Sequence, residues 1–157
     1  MSSEPSGSLV LDTGVLLELA FDSARTKPLR DRIVAGETQP ITGELNVTEL
    51  SYLLCRRIGQ ESADRSVSYL RQAKEFKILP SSSFLDSAAR MKCARSISLV
   101  DCVTICMAES LDVPVLFASH EEEIEKEMKK KRTPFKPRFF FLGSWPKART
   151  GQSMRDA

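Results

Sequence analysis

The sequence predicts an α/β fold with a mostly parallel sheet. Short apolar runs of strand character alternate with longer segments of helical periodicity along the chain, and this alternation is typical of βαβ units. The 157 residues suit one domain, with a core that needs no disulfide or metal for stability. With 41% apolar and 28% charged residues, the composition is that of an ordinary globular protein.

Each predicted strand is a short apolar run bounded by polar or turn-forming residues. Pro80 ends the third run, because proline has no N–H to donate to a sheet. The five predicted strands span residues 8–13, 39–42, 76–79, 113–118 and 137–143.

The segments between the strands carry apolar residues three and four positions apart, the spacing of amphipathic helices. Gly36 and Gly59 fit helix ends, and Ser98 fits a helix start. The seven predicted helices span residues 14–21, 26–36, 44–59, 62–74, 83–94, 98–111 and 121–131.

Charge is distributed unevenly along the chain. Residues 1–125 carry 13 basic and 19 acidic side chains, a net charge of −6, whereas residues 126–157 carry 10 and 2, a net charge of +8. A basic end favours an anionic partner such as nucleic acid, and the alternative is a solvated helix face with disordered residues after it. We expect a domain over residues 8–143 and a basic, disordered tail over residues 144–157.

Two further features exclude other classes of protein. No apolar run approaches the roughly 18 residues of a membrane span, and the first residues lack the pattern of a signal peptide, so a cytoplasmic protein is expected. The four cysteines form no CxxC pair, and there is one histidine, which disfavours a zinc site. Buried, small apolar side chains are the favoured role of the cysteines.

In parallel sheets, ligands bind beyond the carboxyl ends of the strands, and the acidic residues near these positions are therefore candidates for a functional site. Asp12 directly follows the first predicted strand. Three more acids each come three positions after an N-cap type of residue, which is also the spacing of a capping box, the purely structural interpretation. These pairs are Asn46 with Glu49, Ser98 with Asp101, and Ser119 with Glu122.

Carboxylates that converge at one sheet edge repel each other, and their pKa values rise unless a cation compensates. A hard divalent cation with oxygen ligands is the natural compensation, and Mg²⁺ takes one or two carboxylates and several waters. Sites of this kind hydrolyse phosphodiesters with one ion or with two ions roughly 3.5–4 Å apart.

Three segments of the chain resemble the signature segments of PIN-domain ribonucleases, in particular the VapC-like toxins. They are LVLDTGVLLEL, NVTELSYLLCRR and SLVDCVTICMAESLDVPVLFAS. Their order and spacing extend the resemblance over about residues 8–143.

The resemblance implies a three-layer α/β/α sandwich that binds Mg²⁺ or Mn²⁺ and cleaves single-stranded RNA. It identifies Asp12, Glu49 and Asp101 as the catalytic, metal-binding carboxylates. Thr13 matches the hydroxyl residue that supports the first acid, and we group it with the substrate-binding residues. The resemblance also implies a homodimer and a small antitoxin partner.

The family usually has a fourth acid after the fourth strand, in a T-x-D pattern. Here that stretch reads Ala118-Ser119-His120, so a histidine stands at the expected aspartate. Glu121, Glu122 and His120 are therefore the candidates for a further metal ligand, with Glu122 favoured by its spacing from Ser119. The histidine at this position is expected to affect the binding of a second metal ion and the level of catalytic activity.

Basic residues provide candidates for phosphate contact. Arg90, Lys92 and Arg95 precede the Asp101 helix and are predicted to bind the RNA backbone. Arg56 and Arg57 close the Glu49 helix, where they favour its dipole or reach a phosphate.

Two other functions compete with the ribonuclease. A PIN-like RNA-binding or assembly module with weak or no catalysis is the main alternative, and His120 at the fourth-acid position motivates it. A flavodoxin-like or receiver-like domain is disfavoured, because the chain has no glycine-rich phosphate loop.

Overall fold

The computed structural model of the protein describes residues 7–130 and 134–144, and five parallel strands form its central sheet. The strands are β1 (Gly7–Leu11), β2 (Thr38–Gly43), β3 (Lys77–Leu79), β4 (Val115–Phe117) and β5 (Phe139–Phe141). They lie side by side in the order β3-β2-β1-β4-β5. The strand order reverses between β1 and β4, and such switch points are where α/β sheets bind ligands.

Helices cover both faces of the sheet, which confirms the predicted α/β/α sandwich. The seven helices in the described residues are α1 (Thr13–Ala20), α2 (Lys27–Val34), α3 (Glu44–Ile58), α4 (Gln60–Gln72), α5 (Leu85–Ala94), α6 (Leu99–Leu111) and α7 (Glu122–Met128). Helices α5, α6 and α7 share one apolar core with Val10, and α1 to α4 share the other with Leu9 and Leu11. Neighbouring residues of β1 thus point to opposite faces, as the pleat of a strand requires.

The ends of the elements follow the local backbone chemistry. Gly59 separates α3 from α4 at a φ of 85°, a conformation that side chains with a Cβ rarely adopt. Strand β4 is shorter than predicted and starts at Val115, after Pro114, which has no N–H for the ladder.

Three remaining expectations concern the cysteines, the tail and membranes. Cys102 and Cys106 are buried as predicted, but Cys93 is exposed, so the expected burial was wrong there. The predicted tail lies outside the described residues apart from Ser144. None of the helices in the described ranges has the length and apolar character that crossing a bilayer demands.

Candidate active site

Asp12 lies at the switch point of the sheet, between β1 and α1. It is the N-cap of α1, and its Oδ1 accepts a hydrogen bond from the Val15 N–H at 3.0 Å. The residue is 5% exposed. A Cβ on Gly14 would come within 2.9 Å of the Ala118 Cβ, so glycine allows the first turn of α1 to approach the end of β4. That close approach brings Asp12 towards the residues that follow β4.

Asp101 is held by the start of α6. Ser98 is the N-cap, and its Oγ accepts a hydrogen bond from the Asp101 N–H at 3.0 Å, so the serine is the cap that the spacing predicted. The Asp101 side chain therefore projects from the first turn of the helix.

Glu49 lies on α3, but it does not form a capping pair with Asn46. The helix begins at Glu44 with Gly43 as N-cap, so Asn46 lies inside the first turn and the cap predicted there was wrong. Glu49 comes one turn later and is partly exposed, with the Tyr52 hydroxyl 3.5 Å from its Oε2.

The segment after β4 separates the three candidates for the fourth acid. The α7 N-cap is Glu121, so the cap predicted at Ser119 was wrong. The Glu122 side chain is 80% exposed and pairs with Lys126 at 2.7 Å. The His120 ring stacks on Phe141, with 3.6 Å between centroids, and its Nδ1 lies 3.0 Å from Glu125 Oε1.

Electrostatics couple five acids at this sheet edge: Asp12, Glu49, Asp101, Glu121 and Glu123. Burial, together with the charges of Asp101 and Glu121, raises the pKa of Asp12 to about 8 against the hydrogen bond from Val15. Burial and the charges of Glu121 and Glu49 raise the pKa of Asp101 to about 7.

Glu121 belongs to the same group of acids. Burial and the charges of Glu123 and Glu49 raise the pKa of Glu121, while a hydrogen bond with Asp101 lowers it. Asp12 is therefore coupled to Asp101 and Glu121, and Glu49 and Glu123 act on those two acids. The described contacts of Glu122 and His120 lie elsewhere.

The donor chemistry of these acids fits Mg²⁺ or Mn²⁺. All five contribute carboxylate oxygens, which hard divalent cations prefer, and a cation would offset their repulsion. In the described part of the chain, no three His, Cys, Asp or Glu side chains lie close enough to ligate one ion directly. Mg²⁺ is usually bound through one or two protein carboxylates and several waters.

A buried hydrogen-bond network, which the sequence analysis missed, links the elements that carry the acids. Asn46 Nδ2 donates to Thr13 Oγ1 at 3.2 Å and to Thr104 Oγ1 at 2.9 Å. Thr13 follows Asp12, and Thr104 lies one turn after Asp101. All three side chains are buried, so Thr13 is placed beneath the site rather than at its surface. The sequence feature that could have revealed this network is Asn46, a polar residue on the apolar face of α3.

The three basic residues that the sequence predicts to contact phosphate differ in their exposure and in their hydrogen-bond partners. The Arg95 side chain is 8% exposed, with its guanidinium 3.4 Å from Glu127 and 3.9 Å from the centroid of the Phe135 ring, so little of the side chain is accessible to a phosphate. Lys92 donates to the Ile97 carbonyl at 2.6 Å, and Arg90 is exposed. Lys92 lines a groove of about 640 Å³ that extends to Ser98, at the start of the Asp101 helix.

Comparisons with known proteins agree with this architecture. The sequence matches the PIN domain family over residues 9–126. VapC20 of Mycobacterium tuberculosis, a sarcin-ricin loop cleaving toxin, has a similar fold, with a TM-score of 0.59 and 14% identity over 76% of this chain and 94% of that one. No curated protein matches the chain in sequence.

Two further structures have the same fold. A toxin–antitoxin complex from Klebsiella pneumoniae aligns with a TM-score of 0.53 and 14% identity, over 79% of this chain and 92% of the other. VapBC2 from Rickettsia felis, bound to a DNA fragment of its promoter, aligns with a TM-score of 0.57 and 8% identity, over 85% and 98%.

The protein is thus an α/β/α sandwich with a parallel sheet, and it carries coupled acidic residues at the switch point of that sheet. Because the family match covers most of the sequence, the chain belongs to the PIN domain family, and its fold is that of the VapC proteins.

Proposed function

We propose that the protein is a Mg²⁺- or Mn²⁺-dependent endoribonuclease of the VapC-like type, which hydrolyses phosphodiester bonds of single-stranded RNA. The observation that carries the proposal is the gathering of Asp12, Asp101, Glu49 and Glu121 at the switch point of a PIN fold. The nuclease domain is proposed to span residues 8–143, with residues 144–157 as a basic tail.

Each residue has a distinct role in this proposal. Asp12 and Asp101 would hold the cation directly, while Glu49 and, in the place of the fourth acid, Glu121 would act on it through coordinated waters. When bound, a divalent ion lowers the pKa of a coordinated water and neutralises charge on the phosphodiester. Thr13 positions Asp12 from below, since its hydroxyl bonds to the buried Asn46.

The proposed RNA path runs along the groove beside the Asp101 helix. Lys92 lines this groove and would neutralise phosphates there, Arg90 is an exposed cation on the same helix, and Arg95 keeps the wall of the groove in place through Glu127. The domain is also proposed to form a homodimer and to bind a small antitoxin, in the cytoplasm. Support for the antitoxin comes from the toxin–antitoxin complexes that share the fold.

A cleavage assay tests the proposed function. With Mn²⁺ or Mg²⁺, the protein should cut a labelled single-stranded RNA internally, and EDTA should stop the reaction. A duplex of the same sequence should be cut much more slowly, because its bases stay paired and stacked and its strands are held in the A-form. Metal-dependent cleavage that favours the duplex, or cleavage that survives EDTA, would contradict the proposal.

The second candidate function is an RNA-binding or assembly module without catalysis. The observation in its favour is His120 at the fourth-acid position, where its ring stacks on Phe141. RNA binding with neither metal binding nor cleavage would establish this function instead.

A further inference from the structure

A groove of about 480 Å³ opens between α3 and α4. We call it the α3–α4 groove. Val47 and Val67 provide apolar lining, Thr48 and Gln60 provide hydrogen-bonding groups, and Tyr52 and Arg56 also border it. Its volume falls within the roughly 300–1,000 Å³ typical of ligand-binding clefts.

Tyr52 joins this groove to the acidic site. Its hydroxyl lies 3.5 Å from Glu49 Oε2, one helical turn away, and 45% of the residue is exposed. A large aromatic ring therefore lies at the boundary between the groove and a carboxylate of the proposed active centre.

Arg56 adds a cation at the same place. Its guanidinium carbon lies 5.1 Å from the centroid of the Tyr52 ring. Within residues 7–130 and 134–144, Arg56 forms no ion pair with an acid, whereas the neighbouring Arg71 is held by Glu44 at 2.8 Å. The Arg56 charge is thus available to an anionic ligand, and guanidinium groups recognise phosphate through several N–H donors.

We propose that Tyr52 and Arg56 form a nucleotide subsite, in which an unpaired base of the RNA stacks on Tyr52 and an adjacent phosphate pairs with Arg56. This inference rests on the proposed function. Aromatic side chains beside cations are the general means of holding single-stranded RNA, because every base offers a π-face. Because the Tyr52 hydroxyl lies 3.5 Å from Glu49, an RNA strand bound at the acids would continue into this groove.

The groove suits a nucleotide better than a protein segment on two grounds. It contacts a residue of the proposed catalytic centre, so its occupant is continuous with the substrate. Its uncompensated charge is a cation beside an aromatic ring, which complements a base and its phosphate.

The test compares RNA binding by four proteins: the wild type, Tyr52→Leu, Tyr52→Phe and Tyr69→Leu. Tyr69 is the other tyrosine of the chain; it is 78% exposed on α4 and does not line the groove, so it is the matched control. Affinity is measured by fluorescence anisotropy in EDTA, with a labelled single-stranded RNA and with an abasic strand of the same length.

Tyr52→Leu should weaken binding of the intact RNA by about 5- to 100-fold, the range expected for the loss of one base–aromatic stack. Tyr52→Phe and Tyr69→Leu should bind as the wild type does. The abasic strand should bind the wild type and Tyr52→Leu equally, because it has no base to stack.

Unchanged RNA affinity in Tyr52→Leu, or an equal loss on both strands, would overturn the subsite. So would a change of oligomeric state in Tyr52→Leu without a change in RNA affinity, since the groove would then hold a protein. The wild-type cleavage assay reports separately on the proposed function. A Tyr52-dependent, base-dependent affinity in a protein that does not cleave would leave the subsite standing and reject the nuclease.

Discussion

Replacing Asp101 with asparagine is expected to lower metal-dependent RNA cleavage by roughly 10²- to 10³-fold, the usual cost of removing one pre-organised charge from a catalytic site. The side chain keeps its size, and Ser98 still accepts the hydrogen bond from the backbone N–H of residue 101, so the helix start is retained. What is lost is a carboxylate whose burial and neighbouring charges make it costly to keep without a cation.

The matched control is Glu122→Gln, which also removes an acid from a helix start near the sheet edge. Glu122 is exposed and its partner is Lys126, so this variant should cleave as the wild type does. Glu121→Gln should instead slow cleavage. Initial rates on one single-stranded RNA at saturating Mn²⁺ measure all three variants. Wild-type rates for Asp101→Asn would remove that residue from the site.

The second large effect concerns the stability of the metal-free protein. We expect the Asp12 carboxyl group to lower the free energy of unfolding as the pH rises. Its pKa is about 8 in the folded protein against a reference value of 3.8, so the folded state binds more protons than the unfolded state between these values. The Asp12 carboxyl therefore does not lower the free energy of unfolding below about pH 4, where it is neutral in both states. Between about pH 4 and pH 8 the free energy of unfolding falls progressively, because only the unfolded state readily loses the proton.

Asp12→Asn isolates this contribution, because asparagine is an equally good N-cap for α1. In EDTA at pH 8 the variant should be more stable than the wild type by on the order of 2–5 kcal/mol, and the difference should vanish near pH 3. Urea unfolding at several pH values measures it. Mn²⁺ should restore stability to the wild type alone. A variant no more stable than the wild type at pH 8 would show that Asp12 is already compensated.

Much of this architecture could be predicted from local sequence, because strand ends and helix caps are local features. Asp12 follows an apolar run that is buried on both faces, and Ser98 and Asp101 have a spacing that the helix start obeys. The positions of these two acids at one sheet edge then follow from the parallel topology.

The remaining features depend on contacts between distant residues. Arg95 is held by Glu127, 32 positions away, and Asn46 reaches Thr104, 58 positions away, and no periodicity reveals such pairs. The choice between Glu122 and Glu121 as the fourth acid likewise depends on tertiary structure: α7 begins at Glu122, whose side chain pairs with Lys126 one helical turn later, whereas the charge of Glu121 acts on Asp12 and Asp101.

The central claim is that the acids at the switch point form a divalent-metal site, and calorimetric titration with Mn²⁺ at neutral pH tests it most directly. The wild type and Glu122→Gln should bind the ion saturably and with the same affinity. The double variant Asp12→Asn/Asp101→Asn should remain folded and show no saturable binding. Equal binding by the double variant, or no binding by the wild type, would contradict the claim.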